Sequence, residues 1–189
     1  MKRWLPIVAL LVIPRGTRAE VPYGATYSVF DEHLLTIATV IGIGTPTGEL
    51  GIEVTAAPTP YFELSGGIGR GFYGPQLAAM PRLRLPGRGH WAFTFGVGYS
   101  QGEYGDFTLF CFDGPCPLWR GTIQWANVEA GGELQLDGGF TLRVFGGVDL
   151  PLNPDGLRCI DNGSNDCAYE THRRVVPFPS TGVAIGWSF

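Results

Sequence analysis

The sequence predicts an all-β fold, an eight-stranded antiparallel up-and-down barrel that crosses a membrane, and three observations carry that expectation. Apolar residues alternate with small or polar ones in segments bounded by Gly, Pro, Asn and Asp, and no sustained 3.6-residue pattern interrupts them. The connections fall into two sets that alternate along the chain, tight turns in one and two long cysteine-bearing loops with two short connections in the other. The composition suits a surface that does not face water: charged residues are 16% of the chain, and its 29 glycines are an unusually large share for 189 residues. No stretch approaches the roughly 18 consecutive apolar residues of a membrane-spanning helix. Strands are then the only spanning elements available.

Taken in order, residues 1–19 read as a secretory leader, with basic Lys2 and Arg3, an apolar run from Trp4 to Ile13, and Thr17-Arg18-Ala19 as a small-residue cleavage site. Residues 20–33 follow as an N-terminal periplasmic segment, and 34–189 as the barrel. Strands are expected at 34–45, 48–57, 60–70, 74–85, 89–101, 120–136, 139–150 and 177–189. The second, fourth and sixth end in tight turns at Ala57 to Pro60, Pro86 to Gly89 and Asp137 to Gly139, which therefore share one end. The long loops, 103–119 and 151–176, follow the fifth and seventh strands and lie at the other end, with the short connections Thr45 to Gly48 and Gly71 to Gly74. Membrane barrels show this asymmetry, with short periplasmic turns, longer external loops and both termini on the periplasmic side.

Face composition decides the orientation. In the fifth strand Trp91, Phe93, Phe95, Val97 and Tyr99 oppose His90, Ala92, Thr94, Gly96, Gly98 and Ser100; in the second Leu50, Ile52, Val54 and Ala56 oppose Glu49, Gly51, Glu53 and Thr55. The last strand sets Val183, Ile185, Trp187 and Phe189 against Gly182, Ala184, Gly186 and Ser188. Eight strands enclose a lumen only wide enough for side chains, so the small face belongs inside and the bulky face outside, against lipid. Glu49, Glu53, Glu63, Arg82, Arg84, Glu129, Glu133, Arg143 and Asp149 then point inward, where each arginine needs a carboxylate across the strands. Tyr61, Phe62, Trp91, Tyr99, Phe140, Trp187 and Phe189 fall near strand ends and suit interfacial girdles. Trp125 is the misfit, sharing the inward phase of Asn127 and Glu129; either a bulge intervenes or it lies above the membrane.

Without the leader the chain keeps nine arginines, no lysine and all seventeen acids, a net charge of −8. Nucleic-acid binding needs a clustered basic face, and none is available. Cys111, Cys116, Cys159 and Cys167 lie as two close pairs in a chain read as exported, which favours disulfides, with the local pairing simplest among three connectivities. No cofactor is indicated.

With its even strand count and terminal strand, the chain resembles the small eight-stranded outer-membrane barrels of Gram-negative bacteria over roughly residues 34–189. Trp187 and Phe189 match the aromatics of the terminal signal read by the barrel-assembly machinery, while Ala184 stands where Gly is usual and Gly182 where a polar residue is usual. Segments 42–54 and 74–86 are similar to those of uncharacterised bacterial outer-membrane barrel proteins. The resemblance implies a monomer in the outer membrane that contacts outer-membrane lipid, with a structural or surface-interaction role.

Some such barrels modify lipid A or phospholipid, so a serine, histidine and acid at the external rim would be their mark. The one candidate group is His172, Ser180, Asp149 and Glu170, without a spaced His-x-Ser motif. His90 and Ser100 are ten residues apart on one strand, about 33 Å. His33 precedes the first strand beside Asp31 and Glu32, as a solvated residue. Asp155, Asp161, Asn162, Asn165 and Asp166 make the last loop oxygen-rich, but their spacing fits no calcium loop. The glycine run Gly66 to Gly71 opens no helix and reads as tight barrel packing rather than a phosphate cradle. Conduction of a small solute or hydrophobic compound, and a soluble ligand-binding barrel, are the remaining alternatives.

Overall fold

A computed structural model describes residues 29–31, 33–71, 74–87, 89–107, 118–160 and 172–189. The expected leader lies outside the described residues, as do Cys111, Cys116, Cys167 and Glu170.

Among the described residues ten strands form one antiparallel sheet: β1 (Leu35–Ile43), β2 (Leu50–Thr59), β3 (Phe62–Gly71), β4 (Gly74–Pro86), β5 (Trp91–Phe107), β6 (Leu118–Gln135), β7 (Phe140–Pro151), β8 (Leu157–Ile160), β9 (His172–Arg173) and β10 (Phe178–Ser188). Eight of them, β1 to β7 and β10, close into an up-and-down barrel, because β1 pairs with β10 and β5 pairs with β6. The closing seam is continuous from Thr36↔Ser188 to Ile43↔Thr181. Hydroxyls line its inner side, Ser188 Oγ lying 2.7 Å from Thr36 Oγ1 and 2.6 Å from Thr141 Oγ1.

Period-two alternation becomes inside and outside along each strand. Phe93, Phe95 and Trp187 are 68%, 51% and 49% exposed, and Ile41, Leu50, Ile52, Leu77, Leu83, Val97 and Val144 share that outer face. Ala92, Thr94, Ser100, Thr141 and Ala184 are buried on the inner one. Tyr61, Phe62, Trp91, Phe140, Trp187 and Phe189 gather at the end that carries the tight turns and both barrel termini. Tyr99 is not near a strand end: β5 runs on to Phe107, which leaves Tyr99 in mid-strand between Ala79 and Ala126.

The loop end departs from the sequence expectation. Residues 151–176 are not a simple loop, since β8 prolongs the line of β7 along β6, after an excursion from Leu152 to Gly156. Asn153 fills the rung that the excursion leaves open: its Oδ1 accepts from the Gln124 N–H and its Nδ2 donates to the Thr122 carbonyl, both at 2.7 Å. Strands β5 and β6 also extend past their expected limits, to Phe107 and from Leu118, so one side of the mouth has a tall wall. The opposite side is low. There the Thr45-Pro46-Thr47-Gly48 turn bends inward, with Pro46 and Gly48 in the positions such turns favour, Gly48 at φ +87°, and its N–H donating to the Thr45 carbonyl at 2.8 Å.

Glycines on the inner wall make room for that turn. A Cβ at Gly51 would stand 2.7 Å from Thr47 Cβ, and one at Gly67 2.5 Å from Thr47 Cγ2. The Gly66–Gly71 run therefore lies in β3 as packing surface beneath a turn.

The other end is stopped by residues expected to lie outside the barrel. A 3₁₀ turn, Val29–Asp31, buries Val29 and Phe30 against Ala92, and the Arg84 guanidinium lies 4.7 Å from the Phe30 ring centroid. Phe30→Ala should lower unfolding stability by about 3 kcal/mol, the usual range for emptying a buried aromatic site. Equilibrium denaturation followed by tryptophan fluorescence measures it.

Candidate functional site

Two features occupy the lumen: a layer of ion pairs near the turn end and an open vestibule at the loop end. The ionic layer begins with Arg82, only 2% exposed. Its Nη2 donates to Glu53 Oε2 at 2.9 Å, its Nη1 to Ser65 Oγ at 2.6 Å, and its Nε to Glu129 Oε1. Arg84 pairs with Glu63 and, at 3.1 Å, with Glu133. Arg143 Nη2 reaches Glu53 Oε1 at 2.9 Å, with its guanidinium 5.2 Å from the Phe145 ring centroid.

These contacts run across the lumen more than along the wall. Arg82 on β4 meets Glu53 on β2 and Glu129 on β6, skipping β3 and β5, and Arg143 on β7 meets Glu53 on β2. Small side chains allow the skips. A Cβ at Gly96 would stand 3.0 Å from Arg82 Cγ and 3.1 Å from Glu129 Cγ, in the space through which the pair meets. The void left among Glu53, Glu63, Glu133 and Arg143 is about 10 Å³, one water's worth, so the layer leaves no through-channel there.

Glu53, Glu63, Arg82, Arg84, Glu129, Glu133 and Arg143 are all buried in this layer. Glu49 and Asp149 stand apart from it, at the vestibule. Asp149 is 5% exposed and has no cationic partner among the described residues. With its amide oriented to satisfy both ends, Asn127 donates to Asp149 Oδ1 at 2.8 Å and accepts from the Ser100 N–H at 3.0 Å.

The vestibule is a cavity of about 400 Å³, open to the loop end. Thr45 and Gln76 line its low side; Tyr104, Trp125, Asp149, Leu157 and Val175 line its tall side; Arg174 lies exposed at the edge. Trp125 is inward without any bulge in β6, in a buried cluster with Trp119, Ile123 and Leu157. Its burial follows from β8, whose Leu157 covers that stretch of β6, a strand the sequence did not disclose.

Of the rim group, Ser180 and Asp149 are both buried on neighbouring strands, where Ser180 pairs with Gly147 and Phe178 with Asp149. His172 is paired with Arg158 in β9; its side chain, like Glu170, lies outside the described residues. At the turn end, His90 Nδ1 is 3.0 Å from the Gln135 carbonyl, far from that group. His33 is half-buried just before β1. Asp155 sits in the Leu152–Gly156 excursion, while Asp161, Asn162, Asn165 and Asp166 lie outside the described residues. Among the described residues no cluster of three His, Cys, Asp or Glu side chains could hold a metal. Cys159, in β8, is not a free thiol.

Removing one arm of the ionic layer should cost far more than trimming the outer face. Arg82→Ala leaves the buried Glu129 without a cation among the described residues and Glu53 with Arg143 alone, and should destabilise the protein by about 3–5 kcal/mol in a urea titration. Leu83→Ala, one residue along and pointing outward, should cost under about 1 kcal/mol in the same urea titration, because its side chain is exposed already. No family model, no curated protein and no solved structure matches this chain.

Proposed function

We propose that this chain is an integral outer-membrane barrel of a Gram-negative bacterium, a non-conducting and non-enzymatic surface protein. Its loop end faces outward as a structural or adhesive platform. Inverted polarity is the observation that carries the reading: Phe93, Phe95, Leu83, Val97 and Trp187 are exposed while Arg82, Arg84, Glu63 and Glu133 are buried. In water the outer face would be a large contiguous apolar surface, far beyond the few hundred Å² that soluble monomers usually expose. In hydrocarbon the same face is the favourable one, and a closed barrel leaves no unpaired strand edge.

Further support comes from the ends. The aromatics collected at the turn end suit a membrane interface, and Trp187 and Phe189 suit recognition by the barrel-assembly machinery. Removal of residues 1–19 by a signal peptidase, disulfides that tie the two cysteine-bearing loops, and a monomeric state belong to the same reading. Packing of the lumen by the ionic layer and by Phe30 argues for a scaffold rather than a conduit.

Fractionation followed by detergent gel electrophoresis tests this directly. The protein should appear in the outer-membrane fraction and migrate faster unheated than boiled, and it should give no ion conductance in planar bilayers. A mature chain that stays soluble without detergent contradicts the membrane reading, and steady conductance contradicts the sealed lumen. Phe95→Arg should weaken folding into lipid vesicles by about 2–4 kcal/mol if that position lies deep in the bilayer.

A further inference from the structure

The vestibule has a chemical character that a surface platform does not require. Its volume of about 400 Å³ falls in the range of small-molecule clefts. Most of its lining is apolar, yet Asp149 sits at its base nearly fully buried, held by the Asn127 amide and by no cation among the described residues. A buried carboxylate without a counter-ion is costly. The three arginines of the ionic layer are engaged below it, with Glu53, Glu63, Glu129 and Glu133.

Aromatic walls stand beside that carboxylate. Asn127 is directly opposite Asp149, and Trp125 is the next inward residue on β6, a diagonal cross-strand neighbour at about 7 Å. Tyr104 packs against the same cluster from β5, and Leu157 and Val175 complete an apolar side. Glu49 and Glu103 bring the carboxylates of the lining to three. Arg174, the one cation among the described lining residues, is exposed at the rim.

We propose that the vestibule binds a small organic cation, a quaternary or protonated amine bearing an apolar group, with Asp149 as its counter-ion and Trp125 and Tyr104 as its walls. At that cross-strand spacing a cation paired with Asp149 can also reach the roughly 6 Å over which an indole face attracts it. The apolar group then lies against Leu157 and Val175. A bare metal ion suits the site less, because hard cations take six or more oxygen ligands. This goes beyond the platform reading and does not rest on it, since the cavity exists whatever compartment it faces.

Calorimetric titration of the purified full chain in non-ionic detergent with benzyltrimethylammonium tests the proposal, with benzyl alcohol and calcium chloride as comparison probes. Saturable binding of the amine is expected, weakened about tenfold or more in Asp149→Asn, with neither comparison probe displacing it. Without amine, Asp149→Asn should unfold at the same temperature as the parent or higher, since it removes an uncompensated buried charge. Absence of saturable binding at millimolar amine, equal affinity in Asp149→Asn, or displacement by benzyl alcohol or calcium overturns the proposal. So does a large loss of thermal stability in Asp149→Asn, which would make the carboxylate a structural element. The outer-membrane reading fails or stands separately, on fractionation.

Discussion

The Arg82 guanidinium, held between Glu53 and Glu129 across the lumen, is the interaction on which the rest of the structure depends. Eight strands enclose too little space for large apolar side chains on every inward position. The inside is therefore built from residues that reach: long arginines and glutamates from β2, β3, β4, β6 and β7, meeting above small residues such as Gly96. Buried ion pairs of this kind add little net stability over an apolar filling, and their value lies in geometry. Each arginine fits only where its carboxylates stand, so the layer ties together strands that are not neighbours in the sheet.

A polar interior obliges the apolar residues to go elsewhere. Alternation sends Phe93, Phe95, Leu83 and Val97 outward because their neighbours Ala92, Thr94, Arg82 and Gly96 are needed inside. The inner glycines do two jobs by location. Beside the ionic layer they open the cross-lumen path, and at the loop end Gly51 and Gly67 receive the inward Thr47 turn. Between the turn and the ionic layer on one side, and the tall β5–β6–β8 wall on the other, a cavity remains.

Much of this was legible in the residues themselves. Strict alternation in residues 89–101 gave both faces of β5, and an even strand count with both ends on one side gave closure. The charged residues stood on the inward phase of their strands, so a lumen of arginines paired with carboxylates was legible, but phase alone did not separate Glu49 and Asp149, which stand at the vestibule, from the layer. What stayed hidden involved no alternation. Leu157 to Ile160 is a four-residue strand between turn-forming segments, Pro154-Asp155-Gly156 and Asp161-Asn162-Gly163, and carries no periodic signal of its own. Without it Trp125 had no cover, and its inward phase looked like an error rather than a wall of a cavity. Val29 and Phe30 are a pair of apolar residues before any strand, and only the open turn end of a barrel explains their burial. The ends of β5 and β6 were hidden by glycine and polar residues in Gln101 to Asp106, which read as loop until β6 is there to pair with them.

The proposed membrane location requires the bulky outer side chains to meet hydrocarbon. The most direct measurement is a spin label placed by Phe95→Cys in protein reconstituted into lipid vesicles, compared with one placed by Ala92→Cys. The label at 95 should collide freely with dissolved oxygen and be shielded from a water-soluble nickel chelate, while the label at 92 is shielded from both. A label at 95 that meets the chelate as freely as an exposed loop would contradict a lipid-facing outer surface.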